Sequence, residues 1–326
     1  MFATSTQKNH WIFSDEETLI RIREATNKAY VDQFRPPEVE DVGDFFLSAT
    51  EERTLLHFYE YQLKEFCVKF QPTMNKAVIG TAFSYFKRFF LYNSVMDYHP
   101  KEILVTCVYL ACKIEEFNVT IAQFVANVKG DREKAQEIIL NNELLLMSAV
   151  KFHLTVHNPY RPVEGFLIDL KTRHPVLEAE NLRPFIDEFL DKVLMTDVPL
   201  IYAPSQIALA SVLEAARKCR EHLDVYVTSI LITDEEMLQS VVDAIRTIRL
   251  MVRVKNYDPP SRDVIKVLEK KLEKCRNQEN NSDSTIYKTR MLEELMEEDE
   301  RTQRDYETTL AEQRSHFAKL IMESRQ

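Results

Sequence analysis

A sixteen-residue pattern occurs twice in this chain and constrains its fold more than any other feature. The segments YHPKEILVTCVYLACK (98–113) and YAPSQIALASVLEAAR (202–217) align without gaps at an offset of 104 residues. Lys113 is matched by Arg217, and five positions are identical: Tyr98/Tyr202, Pro100/Pro204, Ile103/Ile207, Val108/Val212 and Ala111/Ala215. The shared proline suits the first turn of a helix, and internal repetition predicts two copies of one structural unit.

The composition indicates that the repeated unit is helical. Only 4 of the 326 residues are Gly, and long stretches rich in Leu, Glu, Lys and Ala favour helices over strands. We therefore predict an all-α fold with two tandem five-helix units, at 51–157 and 158–258. The run from Ile103 to Cys112 contains no charged residue, so we expect a central helix that its neighbours surround.

A further helix is expected in the N-terminal segment 1–50. Ser14 and Glu17 form a capping-box pattern, which predicts that a helix begins here and covers Asp15–Gln33. The helix is expected to end before Pro36-Pro37, because the residue before a proline disfavours helical backbone.

The region after the second unit is predicted to contain one helix and a tail. Ser261–Cys275, within the segment 259–280, is expected to be an amphipathic helix with these residues facing inward: Val264, Val267, Leu268, Leu272 and Cys275. The stretch RNQENNSDS (276–284) is a linker by composition. The charged tail 281–326 is expected to be a solvated helix or disordered.

Charge and cysteine content narrow the function classes. The net charge is −10 and the pI about 5.4, whereas proteins that grip nucleic acid usually carry a basic face. Glycine-rich phosphate-binding motifs are absent from the sequence. The five cysteines form no C-x-x-C pair, and no apolar run reaches membrane length. We expect an intracellular protein, cytosolic or nuclear, with reduced thiols and without a cofactor, a metal, a membrane anchor or direct nucleic-acid contact.

Lys113, at the end of the apolar helix, has two possible interpretations. It could extend its ammonium group into water, as long lysine side chains at helix ends often do. It could instead pair with Glu143, which stands alone among apolar residues in IILNNELLLMSAVKF. At the offset of 104, and assuming no gaps, the second unit has Thr247 opposite Glu143, so only the first unit would carry such a pair.

Other candidate sites have simpler interpretations. The cluster FSYFKRFF is expected to be core, with Lys87 and Arg88 solvated or capping a helix. His153 and His157 lie four residues apart, but no carboxylate with metal-ligand spacing accompanies them, so a zinc site is not expected. The acidic run EELMEEDER (293–301) lies in the tail and is interpreted as solvated charge.

Several separated motifs resemble the cyclin family. YFKRFF, LACKIEEF and NELLLMSAVKFHL in the first unit are similar to the cyclin box, and FKRF and CKIEEF are similar to the transcription-associated cyclins. The segments STQKNHWIFSDEETLIRIRE, HNPYRPVEGFLIDLKTRHP and YAPSQIALA resemble the H-type members of that group. The likeness covers roughly residues 1–280, and the two flanking helices match additions that H-type cyclins carry outside their two boxes.

The resemblance implies a regulatory subunit that binds and activates a cyclin-dependent kinase and has no catalytic residues of its own. In cyclins, a lysine and a glutamate at the positions of Lys113 and Glu143 contact the kinase around its αC helix. The apolar residues that match the rest of that contact surface are Ile114, Met147, Phe152 and Leu154.

The H type implies further partners and a nuclear location. Its kinase is the catalytic subunit of the CDK-activating kinase, which also contains a RING-finger assembly factor. That complex phosphorylates activation loops of other cyclin-dependent kinases. As part of transcription factor IIH, which acts in transcription and nucleotide excision repair, it phosphorylates the C-terminal repeats of RNA polymerase II. The M-R-A-I-L run that forms a substrate-docking cleft in cell-cycle cyclins is replaced here by EERTLLHFYEYQL, and the only tryptophan is Trp11.

Three alternatives remain open at this point. A C-type transcription cyclin would differ in the kinase that it selects. A DNA-binding cyclin-fold protein resembling transcription factor IIB would belong to another class, although the acidic charge and missing zinc-ribbon cysteines disfavour it. An all-α enzyme would need turnover by the chain alone.

Overall fold

The computed structural model describes residues 2–35, 42–173, 178–232 and 234–323, and within them the chain is helical without a β-strand. The predicted all-α fold is therefore confirmed. Residues 1–275 form one compact body, and residues 276–326 form a second, which we call the tail. No helix among the described residues is long and apolar enough to cross a membrane.

Three helices precede the first repeat: α1 (Thr6–Trp11), α2 (Glu16–Phe34) and α3 (Val42–Phe45). The predicted N-cap Ser14 is wrong by one residue, because the Oδ1 atom of Asp15 accepts the Thr18 N–H bond at 2.7 Å and caps α2. Pro36 and Pro37, expected to follow this helix, lie outside the described residues. The short helix α1 was not expected from the sequence; Ser5 caps it.

The first repeat contains five helices: α4 (Ala49–Lys69), α5 (Lys76–Tyr92), α6 (Pro100–Ile114), α7 (Ile121–Val125) and α8 (Arg132–Ala149). Helix α6 is central, since it packs against α4, α5 and α8. Its run from Ile103 to Cys112 is buried except at Val105, which is half-buried. Burial of each large aliphatic side chain contributes about 1.5–3 kcal/mol, so the expected central helix anchors this domain.

The second repeat has the same order of elements, with a π-helix in fourth place: α9 (Tyr160–Arg173), α10 (Arg183–Leu194), α11 (Pro204–Cys219), π-helix (Tyr226–Leu231) and α12 (Glu235–Val254). Helix α11 is central and packs against α9, α10 and α12. Among the repeated identities, Ile207, Val212 and Ala215 are buried, as are their counterparts in α6. Each of these repeated residues therefore occupies a core position in both copies.

A buried ion cluster joins the first repeat to the second. Asp197, just after α10, accepts two hydrogen bonds from Arg23 of α2 at 2.8 and 2.9 Å and one from Arg53 of α4 at 2.8 Å. Lys87 of α5 bonds to Glu60 and lies 3.9 Å from Asp197. Burial by itself would raise the pKa of Asp197, but the neighbouring Arg23, Lys87 and Arg53 charges hold that pKa well below its usual range.

The prediction that Lys87 and Arg88 are solvated or capping is wrong. Both are buried, at 5% and 1% exposure, because Lys87 joins the ion cluster and Arg88 lies beneath the Trp11 ring. The remaining aromatic residues of FSYFKRFF are core, as expected.

Helix α13 (Arg262–Cys275) packs on α4. Lys271 Nζ lies 2.8 Å from a Glu51 carboxylate oxygen, and the Tyr59 hydroxyl donates to Glu269 at 3.0 Å. Leu268, Leu272 and Cys275 face inward as predicted, but Val264 and Val267 are exposed and Ile265 is buried instead. The buried residues lie about one per turn on the face of α13 that contacts α4. Helix α13 therefore covers part of α4, whose sequence replaces the M-R-A-I-L segment.

In the tail, the predicted linker 276–284 contains a short 3₁₀ helix at Gln278–Asn280, which the Asn277 side chain caps. It leads into α14 (Thr285–Glu323). Leu292, Leu295 and Met296 of α14 are exposed, so this helix lacks a buried apolar face along this stretch.

Candidate functional site

Lys113 is placed by the way α6 ends. The helix stops at Ile114, Glu116 takes the left-handed conformation with a φ of 54°, and the Phe117 N–H donates to the Cys112 carbonyl at 2.8 Å. This bond pattern closes a helix C-terminus. Lys113 therefore sits in the last turn, where the helix dipole favours a cation.

The structure brings Lys113 and Glu143 together across α6 and α8. Lys113 Nζ lies 2.5 Å from Glu143 Oε1 and 5.4 Å from the centroid of the Tyr109 ring. The lysine side chain is 49% exposed, whereas that of Glu143 is 14% exposed. Of the two interpretations, the ion pair is the one observed. Because the lysine is half in water, the pair contributes about 0–1 kcal/mol to folding, and the ammonium group stays open to an external contact.

Exposed apolar side chains occupy the same helix ends. Ile114 follows Lys113 directly and is 36% exposed, and Phe152 is 60% exposed. Beyond α8, Lys151 and Phe152 both take left-handed backbone, and the Phe152 N–H donates to the Met147 carbonyl at 2.8 Å. Met147 and Leu154 are half-buried against the core of the first repeat. Exposed apolar surface of this kind often marks an interaction site.

Sequence reasoning missed that α8 has two apolar stripes. Ile139, Leu146 and Val150 form the buried stripe. Leu140 and Leu144, which flank Glu143, are 47% and 64% exposed. The signal was present in the spacing, since Leu140, Leu144 and Met147 follow one helical face, while the buried residues follow another. We call the set formed by Lys113, Glu143, Ile114, Leu140, Leu144, Met147, Phe152 and Leu154 the α6–α8 surface.

The two neighbouring histidines, His153 and His157, contact the N-terminal residues. The Trp11 Nε1–H group donates to His153 Nδ1 at 3.1 Å, and the Gln7 side chain bonds to both the N–H and the carbonyl of His157. Within the described residues, no group of three or more His, Cys, Asp or Glu side chains could bind a metal ion.

Comparison with family models defines the class of protein. Residues 47–155 match the cyclin N-terminal domain and residues 158–253 match the cyclin C-terminal domain. Two five-helix repeats with a buried central helix in each agree with this tandem arrangement.

Relatives identify the branch. Cyclin-H of Xenopus laevis is 44% identical over 286 residues, which is 86% of this chain and 88% of that protein. Cyclin-H1-1 of Arabidopsis thaliana is 32% identical and covers 87% of this chain and 91% of its own length. The chain belongs to the cyclin family, in its H branch, and the resemblance seen in the sequence is confirmed.

Solved complexes contain chains with the same fold. A chain in the CAK complex of Chaetomium thermophilum bound to ATP-γ-S superimposes with a TM-score of 0.76 and 26% identity, covering 90% of this chain and 93% of that one. A chain in the yeast TFIIK complex gives a TM-score of 0.58 and 27% identity, covering 76% of this chain and 99% of that one.

Proposed function

We propose that this chain is the regulatory cyclin subunit of a CDK-activating kinase that works in transcription. One structural observation carries the proposal: the Lys113–Glu143 pair lies at the surface of the first repeat beside exposed Ile114, Leu144 and Phe152. An ion pair that contributes little to stability, ringed by apolar side chains in water, has the composition of a protein-binding surface. Membership of the H branch and similarity to chains of the CAK and TFIIK complexes support the same partner class.

The mechanism follows from the rigidity of the α6–α8 surface. An active kinase needs the glutamate of its αC helix paired with the lysine that holds the ATP phosphates. Because α6 is packed between α4, α5 and α8, the end of the surface that carries Lys113 keeps one shape. A surface that binds only the active position of the αC helix shifts the kinase population toward it, by the difference in affinity for the two states.

In this arrangement Lys113 and Glu143 each have a spare hydrogen-bonding group. An ammonium has three donors and a carboxylate has several acceptor positions, and each uses one in the pair. The free donors and acceptors would meet polar groups of the kinase, while Ile114, Phe152, Met147 and Leu154 supply apolar contact. The kinase carries the catalytic groups, and the cyclin acts as a regulator.

The finer features of the proposal follow from the H branch. A RING-finger assembly factor would complete the trimer, and the core of transcription factor IIH would bind it. The substrates would be the activation loops of cyclin-dependent kinases and the C-terminal repeats of RNA polymerase II, and the complex would act in the nucleus. The missing M-R-A-I-L segment and the cover formed by α13 indicate that substrates do not dock on the start of α4.

Reconstitution tests this proposal. The chain is mixed with the catalytic subunit of a CDK-activating kinase, and phosphate transfer to an RNA polymerase II repeat peptide is measured. We expect no transfer by the chain alone and at least a tenfold increase in kinase activity when the chain is added, in line with population shifts of 1–3 kcal/mol.

Two results would contradict the proposal. A chain that leaves the kinase activity unchanged is not its regulatory subunit. DNA binding with a steep salt dependence would favour the reading that resembles transcription factor IIB.

A further inference from the structure

The N-terminal residues 2–11 lie on the segment 151–157, which carries two residues of the α6–α8 surface. The Gln7 Nε2–H group donates to the His157 carbonyl at 3.3 Å, and the His157 N–H donates to Gln7 Oε1 at 2.6 Å. The Phe2 ring meets the His157 ring edge-on at 5.8 Å. These contacts hold one end of the segment to residues about 150 positions earlier in the chain.

Trp11 and His153 hold the other end. The Trp11 indole is 1% exposed, and its Nε1–H group donates to His153 Nδ1 at 3.1 Å. The His10 ring stacks on His153 at 4.8 Å. Arg88 lies 5.0 Å from the indole centroid and donates from Nη1 to the His153 carbonyl at 3.2 Å. His153 thus receives both a side-chain and a backbone hydrogen bond, and it lies directly between Phe152 and Leu154.

The Trp11–His153 bond fixes the protonation state of the histidine. An indole N–H can only donate, so His153 Nδ1 must be unprotonated to accept it. Protonation would put a donor against a donor and add a positive charge near His10, Arg88 and Lys151. Partial burial, together with these three groups, lowers the pKa of His153 below its usual value. Tyr92, edge-on to Trp11 and beneath Lys151, also faces this cluster.

We propose that Trp11 and His153 are positioning residues for kinase binding: the N-terminal residues hold Phe152 and Leu154 in their binding arrangement while His153 is neutral, and release them when it is protonated. This inference rests on the proposed function of the α6–α8 surface. The direction of the pH effect follows from the neutral state of His153 in the folded chain. The N-terminal residues hold Phe152 and Leu154 fully above the usual pKa of histidine, and they release them as the pH falls below it.

Two substitutions test the bond. Trp11→Phe keeps an aromatic ring but removes the donor, and His153→Asn keeps an acceptor near the Nδ1 position but does not titrate. At pH 7.5 we expect Trp11→Phe to weaken kinase binding about fivefold, the effect of one net hydrogen bond. His153→Asn should bind within about twofold of the wild-type chain, since a modest change of acceptor geometry costs little beside a lost bond.

The pH profile separates positioning from a purely structural role. Dissociation constants for the kinase are measured at pH 7.5 and 5.5 with the full chain. Wild type should lose more affinity than His153→Asn over this interval, whereas His222→Asn, which removes an exposed histidine of the second repeat, should behave as wild type. Equal pH dependence in wild type and His153→Asn, or wild-type affinity for Trp11→Phe at pH 7.5, would overturn the proposal.

Hydrogen exchange keeps this test distinct from that of the proposed function. In the free chain, Trp11→Phe should raise amide exchange in residues 151–157 and leave α11 of the second repeat protected. Unchanged exchange in 151–157 would overturn the positioning role whether or not the kinase binds. If instead wild type fails to bind the kinase at either pH, the proposed function fails, and faster exchange would still show that Trp11 holds the segment.

Discussion

The two repeats end their central helices in different ways. In the first repeat, Lys113 of α6 pairs outward with Glu143 of the neighbouring α8, at the surface. In the second, Arg217 of α11 turns back to Glu214 in the same helix at 2.5 Å, and Arg249 of α12 pairs with that carboxylate, also at 2.5 Å. The same cation position therefore pairs across to the last helix in one repeat and back into its own helix in the other.

The last helices of the repeats differ as well. The buried residues of α8 include Ile139 and Leu146, and those of α12 are Ile245, Ile248 and Val252. At the gapless offset of 104, Glu143 matches Thr247, whose hydroxyl donates to the Asp243 carbonyl of its own helix at 2.9 Å. At this offset the second repeat thus has a hydroxyl where the first has the carboxylate that pairs with Lys113.

The largest expected effect concerns these core positions. Leu146→Ala and Ile248→Ala should each lower the free energy of unfolding by about 2–5 kcal/mol, since both side chains are fully buried. Leu144→Ala, at the position that the gapless alignment equates with Ile248, should change it by less than about 0.5 kcal/mol because Leu144 is exposed. Denaturant unfolding measures all three, and a severe loss for Leu144→Ala would contradict its place on the exposed stripe of α8.

Two carboxyl groups, one in each repeat, differ in the direction of their pKa shifts. Glu214 has two arginine partners, and although burial opposes it, their bonds and charges lower its pKa. Glu52 of α4 is buried with a hydrogen bond from Ser94, and burial raises its pKa to about 7. A raised pKa in the fold means that stability is present below the usual carboxyl pKa and is lost as pH rises through 7.

Glu52→Gln should therefore stabilise the chain by about 3 kcal/mol at pH 8.5 and have little effect at pH 5, since each pKa unit corresponds to about 1.4 kcal/mol. Glu214→Gln is the matched control and should lower stability at pH 8.5, because it leaves two arginines unpaired. Unfolding at the two pH values checks the signs. A Glu52→Gln variant that is less stable than wild type at pH 8.5 would show that the carboxylate has a cationic partner.

Single truncations of the two cations give a smaller effect. Lys113→Ala should weaken kinase binding about 10–100-fold, the range of a central interface residue, whereas Arg217→Ala should leave it within about twofold. Titration of the kinase with each variant measures the difference. Equal losses would mean that the kinase contacts both repeats at their central helices.

The sequence predicted the elements that depend on repetition and periodicity. The central helix and its second copy could be foreseen because apolar spacing reports burial directly, whereas the Lys113–Glu143 pair was favoured only once the cyclin resemblance was added to the isolated Glu143. The burial of Lys87 and Arg88 could not be foreseen, because Lys87 meets Glu60 and Asp197, 27 and 110 residues away, and Arg88 meets Trp11, 77 residues away. A charged residue within an aromatic run does not by itself indicate whether a carboxylate far away in the sequence will pair with it.

The buried face of a helix could be predicted only where a neighbouring helix covers the whole apolar pattern. Val264 and Val267 share the apolar pattern of α13 but not its contact with α4, so they are exposed. In α8, the structure has a buried apolar stripe and an exposed one. The exposed stripe, with Leu140 and Leu144, is the part of the candidate site that periodicity alone did not separate from core.

The most direct test of the central claim exchanges the two charges of the surface pair. Lys113→Glu combined with Glu143→Lys can keep an ion pair across α6 and α8, so the unfolding free energy should change by less than about 1 kcal/mol. The polarity offered to the kinase is reversed. We expect kinase binding to fall at least about 100-fold, because two interface charges then meet like charges. A folded double variant that still binds and activates the kinase normally would contradict the account.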